Sequence, residues 1–120
     1  MSEAAPVRDR QMLMAIAAAL PDGQARSKVE AHAASLPMTL VRHGLAATMV
    51  FMASRKEDAP LWSAVLAGAR AVMKNAPRTP ADVLALSLED YLLASELLIA
   101  SAALTAQWAK VPDARKPEGS

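Results

Sequence analysis

The side chains with the most chemical potential in this sequence are its cations. Arg42, Arg55, Lys56, Arg70, Lys74 and Arg78 fall within 37 consecutive positions. Lys and Arg in such a run favour the phosphates of a nucleic-acid backbone, with an attraction that weakens as salt rises. Covalent catalysis and metal chemistry have little to work with. The two histidines, His32 and His43, stand eleven apart, without the His-x-x-x-His or Glu-x-x-His spacing that puts two ligands on one helical face. The chain has no cysteine, which removes thiolate nucleophiles, cysteine zinc sites and disulfides together. Glu89, Asp90 and Glu96 do not form a carboxylate pair. Adjacent positions diverge on a helix, and Glu89 and Glu96 lie about two turns apart, so a solvated acidic face accounts for them. His43 has an imidazole suited to proton transfer near neutral pH, but no local acid or nucleophile accompanies it. We therefore expect no catalytic residue, no metal and no cofactor.

The charge is uneven along the chain. Its net value is +1, from 13 basic and 12 acidic residues. Residues 23–80 hold eight cations against Glu30, Glu57 and Asp58, whereas 81–109 hold Asp82, Glu89, Asp90 and Glu96 and no Lys or Arg. This split is either simple solvation of helix surfaces or the mark of a basic and an acidic side. With two Trp, one Tyr and one Phe, aromatics are too sparse for a platform that reads successive bases, so nucleic-acid contact is expected at the backbone.

These side chains must be positioned by helices. Hydrophobic residues make up 53% of the chain and alanine dominates them, which favours helices packed closely through small side chains. No stretch alternates as a strand would. The expectation is an all-α fold: one compact bundle of five to six helices over residues 8–111, a flexible leader at 1–7 and a disordered tail at 112–120. A first helix is expected at 8–20, ended by Pro21-Asp22-Gly23, and a second at 24–34. The third is capped by Ser35, carries Pro37 in its first turn, and buries Met38, Val41, Leu45, Met49 and Met52. Leu40, Gly44, Ala47 and Phe51 form an adjoining stripe, with Gly44 admitting a close neighbour. A fourth, opened by Asp58 and Pro60, spans 61–75 and places Arg70 and Lys74 on one face. Thr79, Pro80 and Asp82 open a short fifth. Ser87 caps a long sixth at 88–110, with a stripe of Leu93, Leu97, Leu104 and Trp108. The N-terminus lacks the apolar core of a signal peptide, and the apolar run at 97–109 is shorter than a membrane span, so a cytoplasmic protein without membrane contact is expected. Helices three and six are apolar on several faces, which means either that they cover each other as the centre of the bundle or that they contact partners.

One stretch resembles a known family. Leu36-Pro37 leading into an apolar turn, then His43-Gly44-Leu45 and an apolar helix with Phe51, is similar to the Leu-Pro…Asn-Gly-Leu…Phe segment of the small subunit of type III-B (Cmr) CRISPR effector complexes. Tyr91, Glu96 and Trp108 follow in the order of that family's C-terminal helix, and the likeness covers about residues 8–114. His43 stands where the family commonly has asparagine, and Gln107-Trp108-Ala109-Lys110 replaces a more basic ending. The resemblance implies a non-catalytic bundle that stacks with copies of itself and with other subunits, beside the guide RNA and its target RNA, in antiviral defence. It also implies that Arg42, Arg55, Lys56, Arg70, Lys74 and Arg78 face RNA backbone. The alternatives are a free-standing helical nucleic-acid-binding regulator, which needs a polar recognition helix, or the small subunit of another type III subtype.

Overall fold

A computed structural model of the chain describes residues 4–21 and 24–111, with side chains described from 7–21 and 27–111. Residues 1–3 of the expected leader and the whole expected tail lie outside the described residues. The order of elements is α1 (Ala4–Ala19), α2 (Gln24–Ala33), α3 (Leu36–Ser54), a single 3-10 turn (Lys56–Asp58), α4 (Ala59–Val72), α5 (Pro80–Leu84) and α6 (Leu88–Ala109). No strand occurs among the described residues, and the fold is an all-α bundle of six helices. Helix α1 begins four residues earlier than expected.

The centre is α4 against α6, with α1 and α2 laid over them and α3 along the side of α6. Spacing explains the choice of faces. Met12 and Ile16 on α1 and Leu20 just past its end recur every four residues and are buried. On α4 the buried set is Leu61, Trp62, Ala64, Val65, Gly68 and Ala69; on α6 it is Ala94, Leu97, Leu98, Ser101, Ala102, Thr105 and Ala109. These helices meet through small residues. A methyl group added at Gly68 would run into the Ser101 hydroxyl and come within 2.9 Å of Ile16 Cγ1. Ser101 donates from this crowded point to the Val65 carbonyl at 2.7 Å, and Thr105 donates to the Ser101 carbonyl at 2.8 Å, so neither buried hydroxyl goes unpaired.

Helix α3 departs from the expected single stripe. Gly44 has φ 85° and ψ 168°, outside helical space, and divides α3 into two arms. Before the break the buried residues are Leu36 and Leu40; after it they are Leu45, Thr48, Met49 and Met52. Each arm keeps helical spacing, but the phase restarts at Gly44. Met38 and Val41, expected in the core, are therefore exposed, as are Ala47 and Phe51. The reason for glycine here is conformational. Its nearest neighbour for an added Cβ is the Tyr91 hydroxyl at 3.8 Å, ordinary contact distance, so Gly44 serves the backbone angle and not a close approach.

Caps set the shorter elements. Thr79 and Asp82 form a reciprocal box at the start of α5: Thr79 Oγ1 accepts from the Asp82 amide at 3.2 Å and Asp82 Oδ2 accepts from the Thr79 amide at 3.2 Å. Ser87 Oγ accepts from the Asp90 amide at 3.1 Å to open α6. Ser35 does not cap α3 with its side chain. Its hydroxyl instead donates to the His32 carbonyl at 3.2 Å, closing the end of α2. By length and composition α3 and α6 are each apolar enough to cross a membrane; in this fold each buries one side against the bundle, and α3 is broken at Gly44.

Candidate functional site

The six predicted cations do not share one cleft. Arg70 sits on α4, half-buried, and donates from Nη1 to the Ala76 carbonyl at 2.9 Å. It therefore ties down the segment between α4 and α5. Lys74 was expected one turn further along the same helix, but α4 ends at Val72 and Met73 is already extended. Pro77 disfavours helical angles at Ala76, and the chain leaves the helix ahead of it. Lys74 is thus exposed in the connection, off the Arg70 face. Arg78 and Arg70 line one shallow depression with Ser63, Leu66 and Ala67. The Arg78 and Thr79 amides both donate to Asp82 Oδ2, and these bonds, that from Arg78 foremost, hold the Asp82 carboxyl below its ordinary value.

Arg55 and Lys56 lie at the α3–α4 junction. Lys56 is exposed and lines a cleft with Lys28, Val29, Glu57, Asp58, Pro60 and Leu61. Lys28 was no candidate from sequence, because only the fold brings α2 beside the junction. Arg55 is committed elsewhere. Its Nε donates to Asp58 Oδ2 at 2.7 Å, its Nη2 lies 3.2 Å from Glu57 Oε2, and its guanidinium carbon is 5.2 Å from the centroid of the Phe51 ring. The Asp58 bond foremost raises the Arg55 pKa. Arg42 stands exposed on the first arm of α3, without an ion pair to a described residue.

Asp58 is the most informative residue that sequence reasoning missed. It sits just ahead of α4, as expected, yet its carboxylate does not cap that helix. The side chain is 8% exposed and accepts from two elements: Arg55 on one oxygen, and His32 Nδ1, 26 residues back, at 2.6 Å on the other. Burial raises the carboxyl's pKa, but the Arg55 and His32 hydrogen bonds outweigh it and leave Asp58 below its ordinary value. The cluster fastens the end of α2 to the α3–α4 junction. No local spacing announces a pair so distant in sequence. It also gives His32 a structural partner and no nucleophile. Among the described residues no group of three or more His, Asp or Glu is placed to hold a metal ion.

The other notable surface is apolar. Leu84 on α5 and Leu88 and Leu92 on α6 are 84%, 74% and 60% exposed, and Leu93 beside them is also exposed. Glu89 and Glu96 are exposed on the same stretch, where no Lys or Arg occurs from 81 to 109. No family model matches this chain, and no curated protein or solved structure matches it.

Proposed function

We propose that this chain is a non-catalytic small subunit of a type III-B (Cmr) CRISPR effector complex, cytoplasmic, stacking with copies of itself and with other subunits beside the guide RNA–target RNA duplex. The observation that carries the reading is the uncovered apolar stretch Leu84, Leu88, Leu92 and Leu93 at the α5–α6 junction. Leucines this exposed cost solubility unless another surface covers them. A second observation supports it. The two parts of the family resemblance, Gly44-Leu45 and Tyr91, lie 47 positions apart in sequence, and the Tyr91 hydroxyl is the neighbour that flanks Gly44. The free cations, Arg42, Lys56, Lys74 and Arg78, supply the attraction for RNA backbone, while Arg55 and Arg70 chiefly hold the fold.

The test uses a tagged chain in its native cell. Leu88→Glu with Leu92→Glu should keep the far-ultraviolet circular dichroism of the wild type and lose most of the recovered partner proteins. Undiminished recovery would assign the contacts to another face. Lys74→Glu with Arg78→Glu should lower recovered RNA while leaving protein partners in place. These positions are better probes than Arg70, whose reversal would also release Ala76.

A further inference from the structure

The break at Gly44 builds a cleft that a continuous helix would lack. Thr39 and His43 are four apart on the first arm of α3, and Ala47 and Phe51 are four apart on the second, so each pair presents one face. With Thr48 these residues line one cleft of about 390 Å³. The arms close tightly at its base, where Thr48 Oγ1 reaches the Thr39 carbonyl at 3.4 Å, a spacing that nine residues of straight helix would stretch to about 13 Å.

Its lining has a distinct chemistry. Each arm contributes a ring, the imidazole of His43 and the phenyl of Phe51, and the walls add two hydroxyls and no carboxylate. Phe51 is 49% exposed at the rim, with the Arg55 guanidinium over one face of its ring. The Arg55 guanidinium, 5.2 Å from the ring centroid, lines the neighbouring cleft that holds His32 and Asp58, not this one. Arg42, exposed and without an ion pair to a described residue, precedes His43, and exposed Lys56 lies just past the second arm, whereas Arg55 is already paired with Glu57 and Asp58. A flat ring that brings negative charge with it suits this surroundings. An apolar peptide gains nothing from the cations, and an acidic one has no matching use for two rings.

We propose that the cleft between the two arms of α3 binds one unpaired nucleobase of single-stranded RNA, stacked on Phe51. The proposal extends the RNA reading above from backbone contact to base contact and shares its ligand class. It revises the expectation from composition, because one ring on each side of a slot serves where a row of aromatics is absent.

The experiment measures anisotropy of a labelled single-stranded oligoadenylate, and of an RNA duplex of equal length, with the full chain at one fixed salt concentration. Base stacking on an aromatic side chain contributes about 1–3 kcal/mol, so Phe51→Ala should weaken single-strand binding by about 5- to 150-fold and leave the duplex, whose bases are already paired, unchanged. Phe51→Trp should restore binding. Ala47→Leu, which fills the slot from an exposed helical position, should weaken it as Phe51→Ala does. Circular dichroism confirms that each variant is folded. Single-strand binding that is absent in the wild type, or equal in Phe51→Ala, overturns the proposal. So does a Phe51→Ala variant that loses self-association in sedimentation velocity with RNA binding intact, which would give the cleft to a second copy. A chain that binds the base but is recovered without CRISPR proteins keeps the cleft and loses the assembly reading; recovery with them and no effect at Phe51 does the reverse.

Discussion

Replacing Gly44 with alanine separates two accounts of α3 by the sign of the result. If α3 were one continuous helix, the alanine would stabilise it by about 1 kcal/mol, the usual gain at a helix interior. In this fold Gly44 has φ 85° and ψ 168°, a region populated essentially by glycine, and an L-residue there costs about 1–3 kcal/mol. Space is no obstacle, since the added methyl would find only the Tyr91 hydroxyl at 3.8 Å. Straightening the arms offers no escape. It would break the Thr48–Thr39 bond and pull Leu36 and Leu40 out of the core, at about 1.5–3 kcal/mol for each leucine. The variant therefore keeps its bend and carries the strain. Urea unfolding followed by tryptophan fluorescence and circular dichroism should show a loss of about 1–3 kcal/mol, with an unchanged slope against denaturant. Asparagine should do no better than alanine, because the left-handed region it tolerates lies near ψ of about 47°. A stability equal to or above wild type would refute the break and, with it, the cleft between the arms.

Other perturbations probe the remaining contacts. Gly68→Ala should cost about 1–3 kcal/mol in the same assay despite its better helix propensity, because the methyl meets Ser101 and Ile16; adding Ser101→Ala should recover part of the loss, and additive losses would mean the crowding lies elsewhere. Asp58→Asn should cost about 1–3 kcal/mol by leaving Arg55 and His32 without their carboxylate. Because Asp58 lies below its ordinary value in the folded state, its contribution is fully present above the unfolded value of about 4 and is lost as pH falls through the folded one; the Asn variant should lack that part of the acid slope, and identical acid titrations would contradict the assignment. Arg70→Ala should destabilise by about 1 kcal/mol through the Ala76 carbonyl, whereas Lys74→Ala should stay within about 0.5 kcal/mol, so equal effects would put both on the surface.

Much of the architecture was legible because it rests on local chemistry. The Thr79–Asp82 box, the Ser87 cap and the Asp58-Ala59-Pro60 opening of α4 are short-range signals, and they fix element starts to within a residue or two. Leu61, Val65, Ala69 and Val72 share one side of α4 by their spacing; the first three are core, whereas Val72, the last residue of the helix, is exposed. What failed was continuity. A stripe drawn through Gly44 assumes one phase, and the backbone changes phase there, so Met38 and Val41 are exposed, and of the adjoining stripe Leu40 is buried while Ala47 and Phe51 are exposed. Gly68 gave no sign of its role, since only the packing of α1, α4 and α6 shows what a methyl would strike. The cations were visible as residues but not as a surface. Arg55 and Arg70 are held by partners that the fold supplies, Lys74 falls past the end of its helix, and Lys28 joins Lys56 from a different element. The Asp58–His32 pair spans 26 positions and obeys no periodicity.

The assembly role stands most directly on what travels with this chain. A tagged full-length copy expressed in its native cell and purified gently should elute at high mass, and native mass spectrometry should find more than one copy of it together with several CRISPR proteins and a short guide RNA. Recovery as a lone monomer, free of protein partners and RNA, would contradict the assembly role.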